Sequence, residues 1–76
     1  MEYEEVVRRV AEDVEGMFSG RFPSRVSVVG GGKYSSGVIE RLRGSHSDCM
    51  VGREVRGGWG VRLVDIIQKY EPDCFY

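Results

Sequence analysis

Cysteine, histidine and proline are scarce in this sequence, and it has no long apolar run. The two cysteines, Cys49 and Cys74, are too few for a disulfide scaffold and lack the CxxC spacing of zinc and redox sites. With a single histidine, the chain offers no metal-binding cluster, and we expect neither a metal nor another cofactor. No apolar segment approaches the ~20 residues that a membrane-spanning helix needs. We therefore expect a soluble protein that does not contact a membrane.

The first residues do not resemble a secretory signal. Glu2, Glu4 and Glu5 follow Met1 at once, whereas a signal peptide begins with a basic region and continues with an apolar one. The expected location is the cytoplasm, where thiols are normally kept reduced.

The chain length limits what the protein can bury. Its 76 residues make one domain, 1–76. A chain of this size buries only about 60% of its unfolded surface, so its stability is marginal without help. A second copy of the chain or another protein would supply additional core.

Acidic and basic residues are segregated along the chain. Residues 1–20 carry six acids against two arginines, a net charge of −4, and residues 63–76 carry three acids against one lysine, a net charge of −2. Residues 21–62 carry eight basic residues against three acids, a net charge of +5. A basic centre is typical of an anion-binding or nucleic-acid-binding surface. The alternative is internal charge balance between the sheet and the helices.

The pattern at the start of the chain predicts an amphipathic helix followed by a strand. Apolar side chains recur at helical spacing over residues 3–18, and glutamates occupy the first turn, where they favour the helix dipole. Pro23 ends the helical region because it lacks a backbone N–H and biases the preceding residue toward an extended conformation. Residues 26–29 then predict a short strand that ends at three glycines. The expected buried stripe of the helix comprises Tyr3, Val7, Val10, Val14 and Met17, and Val6 and Phe18 widen it.

Residues 37–43 (GVIERLR) fit two structures. As a helix capped by Ser35 or Ser36, they place their apolar residues on one face; as a strand, they alternate between two faces. The segment is short for a helix, and a second run of strand length, 49–56, follows a polar turn. We therefore predict a hairpin of strands 38–43 and 49–56. A helix across 36–45 is the alternative, and it would favour nucleic-acid binding.

The last third of the chain predicts a glycine-rich joint, a helix over 61–70 and an apolar tail at 74–76. The whole pattern predicts an α+β domain of two layers in the order α-β-β-β-α, with both helices on one face of a sheet that contains antiparallel strands.

The centre of the chain resembles the selenoprotein W-like (Rdx) family of thioredoxin-like proteins. The similar features are Phe22-Pro23 after a helix, the strand at 26–29, the glycine cluster, residues 37–40 at the opening of a strand, Arg53 and Glu54 in the next strand, and Gly57-Gly58-Trp59 before the last helix. The resemblance covers residues 20–70 and implies a thioredoxin-like topology truncated at its first strand. A second resemblance, to a small α+β domain at the end of some bacterial membrane proteins, rests on residues 31–35 and 71–75.

The family's redox motif is absent from this chain. The resemblance therefore implies a non-catalytic interaction module, with a thiol redox protein as the alternative. A sheet without its usual first strand has an exposed edge, and exposed edges recruit partners. We expect a homo-oligomer, or another protein partner, at that edge.

A basic-aromatic patch is the main candidate site. The glycines at 30–32 with Ser35 and Ser36 have the composition of a phosphate-binding loop, although the P-loop pattern is not matched. Arginines on the predicted hairpin, with aromatic rings nearby, have the composition of a single-stranded nucleic-acid site. The alternative for the arginines is ion pairing with Glu40, Glu54 and the acidic first helix. The candidate binding residues are Lys33, Tyr34, Arg41, Arg43, Arg53, Arg56 and Trp59.

The sequence shows no catalytic constellation, because it lacks a carboxylate pair and a nucleophile with an oriented base. His46 lies near Cys49 in a polar turn but has no evident third partner, so we expect it to be exposed. Cys49 and Cys74 are the possible reactive thiols. We expect a protein that is not an enzyme.

Overall fold

The computed structural model describes residues 2–71, which form three α-helices and a three-stranded sheet. The apolar tail at 74–76, including Cys74, lies outside the described residues. In chain order the elements are α1 (Tyr3–Met17), β1 (Arg25–Val29), a 3-10 turn (Gly32–Tyr34) that continues into α2 (Ser35–Ser45), β2 (Met50–Gly52), β3 (Trp59–Arg62) and α3 (Leu63–Ile67).

The sheet has β1 at its centre, and both neighbouring strands run parallel to it in the order β2-β1-β3. Val26 is level with Val51 on one side, and Val28 is level with Val61 on the other. These four valines are buried, and they belong to the same apolar cluster as the buried residues of the helices. The helices therefore cover the valine face of the sheet, and the chain is a small α+β domain, as the sequence predicts.

The predicted hairpin is wrong. Residues 35–45 form α2, and the strands before and after it pair in parallel with β1 in the middle. The apolar side chains of the segment, Val38, Ile39 and Leu42, are all buried, which is the pattern of the helical alternative. The order is α-β-α-β-β-α, and residues 37–40, which resemble the opening of a family strand, are helical. The sheet has only parallel pairs among the described residues.

The segment after β2 also differs from the prediction. Residues 59–62 form β3 where a mobile joint and the start of a helix were expected, and Trp59 is level with Val26 of β1. Pairing with β1 gives this segment backbone partners that a free joint would lack. The last helix begins at Leu63 and ends at Ile67, and its buried residues are Leu63, Ile66 and Ile67.

Helix α1 is confirmed, but its buried stripe is shorter than expected. The valines of the predicted stripe are buried in its middle, together with Val6 and Ala11. Tyr3 and Met17, at the two ends, are 39% and 54% exposed. Tyr3 nevertheless has partners, because its hydroxyl donates a hydrogen bond to the carbonyl oxygen of Lys33 at 3.0 Å.

One glycine fixes the junction between β1 and α2. Gly31 has a φ of 98°, a backbone conformation that residues other than glycine rarely adopt. A Cβ there would lie 3.0 Å from Leu63 Cδ1 and 3.2 Å from Ser35 Cβ. The turn therefore passes close to the start of α3, and only a residue without a side chain fits.

Within residues 2–71, no helix has the length and apolar character to cross a membrane.

Candidate functional site

Arg53 and the glycines at 30–32, which we call the glycine loop, lie at the same edge of the sheet. The loop follows β1 and Arg53 follows β2; because these strands are parallel, their carboxyl ends meet. Arg53 Nη2 donates a hydrogen bond to Ser35 Oγ, and Ser35 Oγ donates to the carbonyl oxygen of Gly32 at 2.9 Å. Ser35 is 2% exposed. The buried hydroxyl thus connects the cation to the loop.

The glycine loop has a backbone that few other residues would adopt. Gly30, Gly31 and Gly32 have consecutive φ values of 73°, 98° and 50°. Gly32 and Lys33 begin the helical segment, so their N–H groups have no partner within it. A concavity of about 280 Å³ is lined by Gly30, Gly32, Ser35 and Arg53. Such a loop-to-helix turn suits an anion.

Two further arginines continue from Arg53 along the outer edge of β2. Arg43 Nε donates to the carbonyl oxygen of Val51 at 2.7 Å, which holds this side chain of α2 against the strand. An open concavity of about 610 Å³ is lined by Arg43, Arg53 and Arg56, and also by Gly52 and Glu54. We call this surface the arginine groove.

The acids of α1 do not neutralise the arginine groove. Four of them, Glu5, Glu12, Asp13 and Glu15, pair instead with arginines of α1 or with His46 and Lys69. Among residues 2–71, Arg43, Arg53 and Arg56 form no ion pair with a carboxylate. The structure thus does not have the ion pairs with Glu40, Glu54 and α1 that the sequence offered as the alternative. The groove carries a net positive charge, since three arginines and one glutamate, Glu54, line it.

Four of the seven predicted binding residues lie away from the groove, and the first three of them are Arg41, Lys33 and Tyr34. Arg41 lines a concavity with Glu2, Glu4 and Arg8, because residues two apart on a helix point in different directions. Lys33 lies over the Tyr34 ring, 5.3 Å from its centroid. Tyr34 is 3% exposed, so its ring is not free to stack on a base.

Trp59 is exposed but distant from the glycine loop. It lies at the start of β3, level with Val26, whereas the loop follows the end of β1. β1 also separates it from β2 and the arginine groove. Its ring packs edge-on against Phe18, with centroids 5.6 Å apart. The predicted basic-aromatic patch is therefore divided between two surfaces.

His46 has a structural environment that the sequence did not predict. Its Nε2 lies 2.6 Å from Glu15 Oε2, and its ring stacks on Phe22 with centroids 3.9 Å apart. These partners come from α1 and the following loop, so sequence spacing gave no signal for them. The predicted exposed histidine is wrong, because His46 is part of the contact between α1 and the end of α2.

Cys49 is the one cysteine within residues 2–71, and its thiol is free. It is half-buried, packs against the apolar core and lines the arginine groove. Within residues 2–71, no three histidine, cysteine or acidic side chains gather at a potential metal site.

Fold and site define a small α+β protein with a positively charged groove along one edge of a parallel sheet. No family model matches the chain, and no curated protein or solved structure is significantly similar to it. The resemblance to selenoprotein W-like proteins therefore stays a prediction.

Proposed function

We propose that this protein is a non-catalytic binding module for a phosphate-bearing ligand. The phosphate binds between the glycine loop and Arg53. The observation that carries the proposal is the position of Arg53, which reaches Ser35 from another element and has no carboxylate partner within residues 2–71.

The chemistry of these groups suits phosphate. A guanidinium group donates two parallel hydrogen bonds to phosphate oxygens. The N–H groups at the start of a helix, and its dipole, also favour an anion. Ser35 holds Arg53 at the loop, so less side-chain entropy is lost when the ligand binds.

The position of the aromatic residues favours a compact ligand over a single nucleic-acid strand. Recognition of a strand requires base stacking beside the basic track. Tyr34 is buried, and Trp59 lies beyond β1 from the groove. Binding of single-stranded nucleic acid through these rings therefore loses its support.

Binding without turnover is the simpler role for these groups. Among the residues that line the glycine-loop concavity, Ser35 is the sole side chain with a hydroxyl, and it is hydrogen-bonded to a carbonyl and to a cation. A nucleophilic serine needs a base that takes its proton, and neither partner is a base.

The proposal is tested by NMR titration of the ¹⁵N-labelled protein with inorganic phosphate, at constant ionic strength against chloride. We expect saturable shifts of the amide signals of residues 30–36 and of the Arg53 side chain. Arg53→Gln removes these shifts, whereas the control Arg41→Gln, the same change on the far side of α2, keeps them. No saturable shift at residues 30–36 in the wild type would contradict the proposal.

Self-association at β3 is a second candidate function. β3 lies at the edge of the sheet within the described residues, and Trp59 is 59% exposed on it. Exposed tryptophan on a strand edge is typical of an interface residue. A second copy of the chain would extend the sheet and add buried apolar area to a small core. Sedimentation equilibrium measures this directly.

A further inference from the structure

We propose that the ligand is an oligophosphate, a chain of at least two linked phosphate groups that lies along the arginine groove. This inference rests on the proposed function, because the first phosphate is the one held by Arg53 at the glycine loop. It adds that the anionic charge continues toward Arg43 and Arg56.

Three concavities share Arg53 as a lining residue. One is lined by Arg53 and the glycine loop, a second of about 290 Å³ by Arg53 and Arg43, and a third of about 610 Å³ by Arg53, Arg43 and Arg56. A ligand held at the loop by Arg53 is therefore next to the concavities that Arg43 and Arg56 line.

The number of unpaired cations exceeds what one phosphate needs. A single phosphate monoester carries a charge of about −1.5 to −2 at neutral pH, which Arg53 and the helix start already balance in large part. Arg43 and Arg56 remain without a carboxylate partner among the described residues. Linked phosphates supply this further charge within one ligand.

The floor of the groove places the Arg43 guanidinium close to the strand. Gly52 has no side chain; a Cβ there would lie 3.0 Å from Arg43 Nη2 and 3.7 Å from Val55 Cγ2. Glycine at residue 52 therefore leaves room for the Arg43 side chain at the groove.

Two glutamates limit where the phosphates lie. Glu40 lines the middle concavity beside Ser36, and Glu54 lines the largest one. Like charges repel across the groove, so phosphate oxygens lie on the arginine side. The carboxylates remain free to accept hydrogen bonds from hydroxyl or amino groups that the oligophosphate carries.

Calorimetric titration with orthophosphate, pyrophosphate and tripolyphosphate, in metal-free buffer at constant ionic strength, tests the inference. We expect the affinity to rise about tenfold or more from orthophosphate to tripolyphosphate, since each added phosphate gains a charge-assisted contact. Arg43→Gln and Arg56→Gln each remove several-fold of this gain, measured as the ratio of the tripolyphosphate affinity to the orthophosphate affinity of the same protein. Arg41→Gln is the matched control. A fourth titration with a nucleoside triphosphate distinguishes the two sources of an oligophosphate. Tighter binding of the nucleoside triphosphate than of tripolyphosphate identifies a nucleotide, and equal or weaker binding identifies an inorganic chain.

Equal affinity for orthophosphate and tripolyphosphate would overturn the inference and leave the proposed function intact. An undiminished gain in both Arg43→Gln and Arg56→Gln would also overturn it, because the extra charge would then bind elsewhere. If none of the phosphates binds, the inference and the proposed function both fail. Circular dichroism of each variant shows whether it is folded, and two independent arginine variants keep the test decisive if one of them is not.

Discussion

Arg53 and Ser35 are 18 positions apart in the chain and joined by a hydrogen bond from the guanidinium to the hydroxyl. The bond connects the end of β2 to the start of α2. It exists because α2 lies between two parallel strands, which brings their carboxyl ends together. In the predicted hairpin, Arg53 would have been a residue of a strand with no relation to the glycine loop.

Two glycines of α2 predict opposite effects of the same substitution. A Cβ on Gly37 would lie 2.7 Å from Tyr3 Oη and 2.9 Å from Val7 Cγ2, whereas a Cβ on Gly44 meets nothing within 4 Å. We expect Gly37→Ala to lower the free energy of unfolding by about 1–3 kcal/mol through overpacking against α1. We expect Gly44→Ala to raise it by about 0.5–1 kcal/mol through helix propensity.

Urea denaturation of both variants measures the difference. Equal stability of Gly37→Ala and Gly44→Ala would contradict the close approach of α1 and α2.

The hydrogen bond from Tyr70 Oη to Asp13 Oδ2, 2.5 Å long, makes stability depend on alkaline pH. The bond to the carboxylate raises the pKa of Tyr70 above its ordinary value of 10.0, and burial adds to the shift. A pKa that is higher in the folded state contributes stability that is fully present below pH 10. That contribution is lost as the pH rises through the folded-state pKa.

We expect Tyr70→Phe to lower the free energy of unfolding by about 1 kcal/mol near neutral pH. Above pH 10 the difference from the wild type shrinks, because the wild type loses the bond and the variant has none to lose. Urea denaturation of both proteins across this pH range measures the difference. If the free energies of unfolding of the two proteins differ by the same amount at every pH, the bond from Tyr70 to Asp13 does not make stability depend on pH.

His46, Glu15 and Phe22 form one contact between α1 and the end of α2, so their substitutions are not independent. We expect His46→Ala to destabilise the fold by about 1–2 kcal/mol, through the lost hydrogen bond and ring stacking. Glu15→Gln has a smaller effect because the amide keeps a polar partner. A double-mutant cycle with both changes measures the coupling. Additive effects would contradict a direct bond between the two side chains.

The β3 edge predicts concentration-dependent association that depends on Trp59. Trp59→Ser removes an apolar side chain that is 59% exposed and that packs on Phe18, so we expect weaker association together with a loss of stability from the Phe18 contact. Sedimentation equilibrium measures the fractions of monomer and dimer for the wild type and for the variant. If the wild type stays monomeric at high protein concentration, the hypothesis of self-association at β3 is excluded.

The elements with long periodic patterns were predictable, and the short ones were not. Residues 3–18 have enough turns for helical periodicity to be unambiguous. Residues 37–43 fit helix and strand equally, and the residues that extend α2, serines and Gly44, are poor helix formers. Burial of Val38, Ile39 and Leu42 against the rest of the core decides the structure, and that is a tertiary effect.

The candidate site was predictable in composition but not in arrangement. The glycine loop and the arginines were evident as residue types. Which arginine faces the loop depends on parallel strand pairing, because a helix separates Arg41 from Arg43 where a strand would align them. The burial of Tyr34 against Tyr3, with ring centroids 5.3 Å apart, is equally a long-range effect.

The central claim is tested most directly by three proteins that differ at residue 53: the wild type, Arg53→Lys and Arg53→Gln. Calorimetry at one low salt concentration measures the affinity of each for pyrophosphate. The series separates the charge of the side chain from its hydrogen-bonding geometry. Lysine keeps the positive charge but lacks the planar guanidinium that donates two parallel hydrogen bonds, and glutamine lacks both. We expect the affinity to fall from the wild type to Arg53→Lys and again to Arg53→Gln. The total loss is about tenfold or more, because a hydrogen bond to a charged group contributes about 1.5–3 kcal/mol. If Arg53→Gln binds pyrophosphate as tightly as the wild type and Arg41→Gln do, Arg53 does not hold the phosphate and the account is wrong.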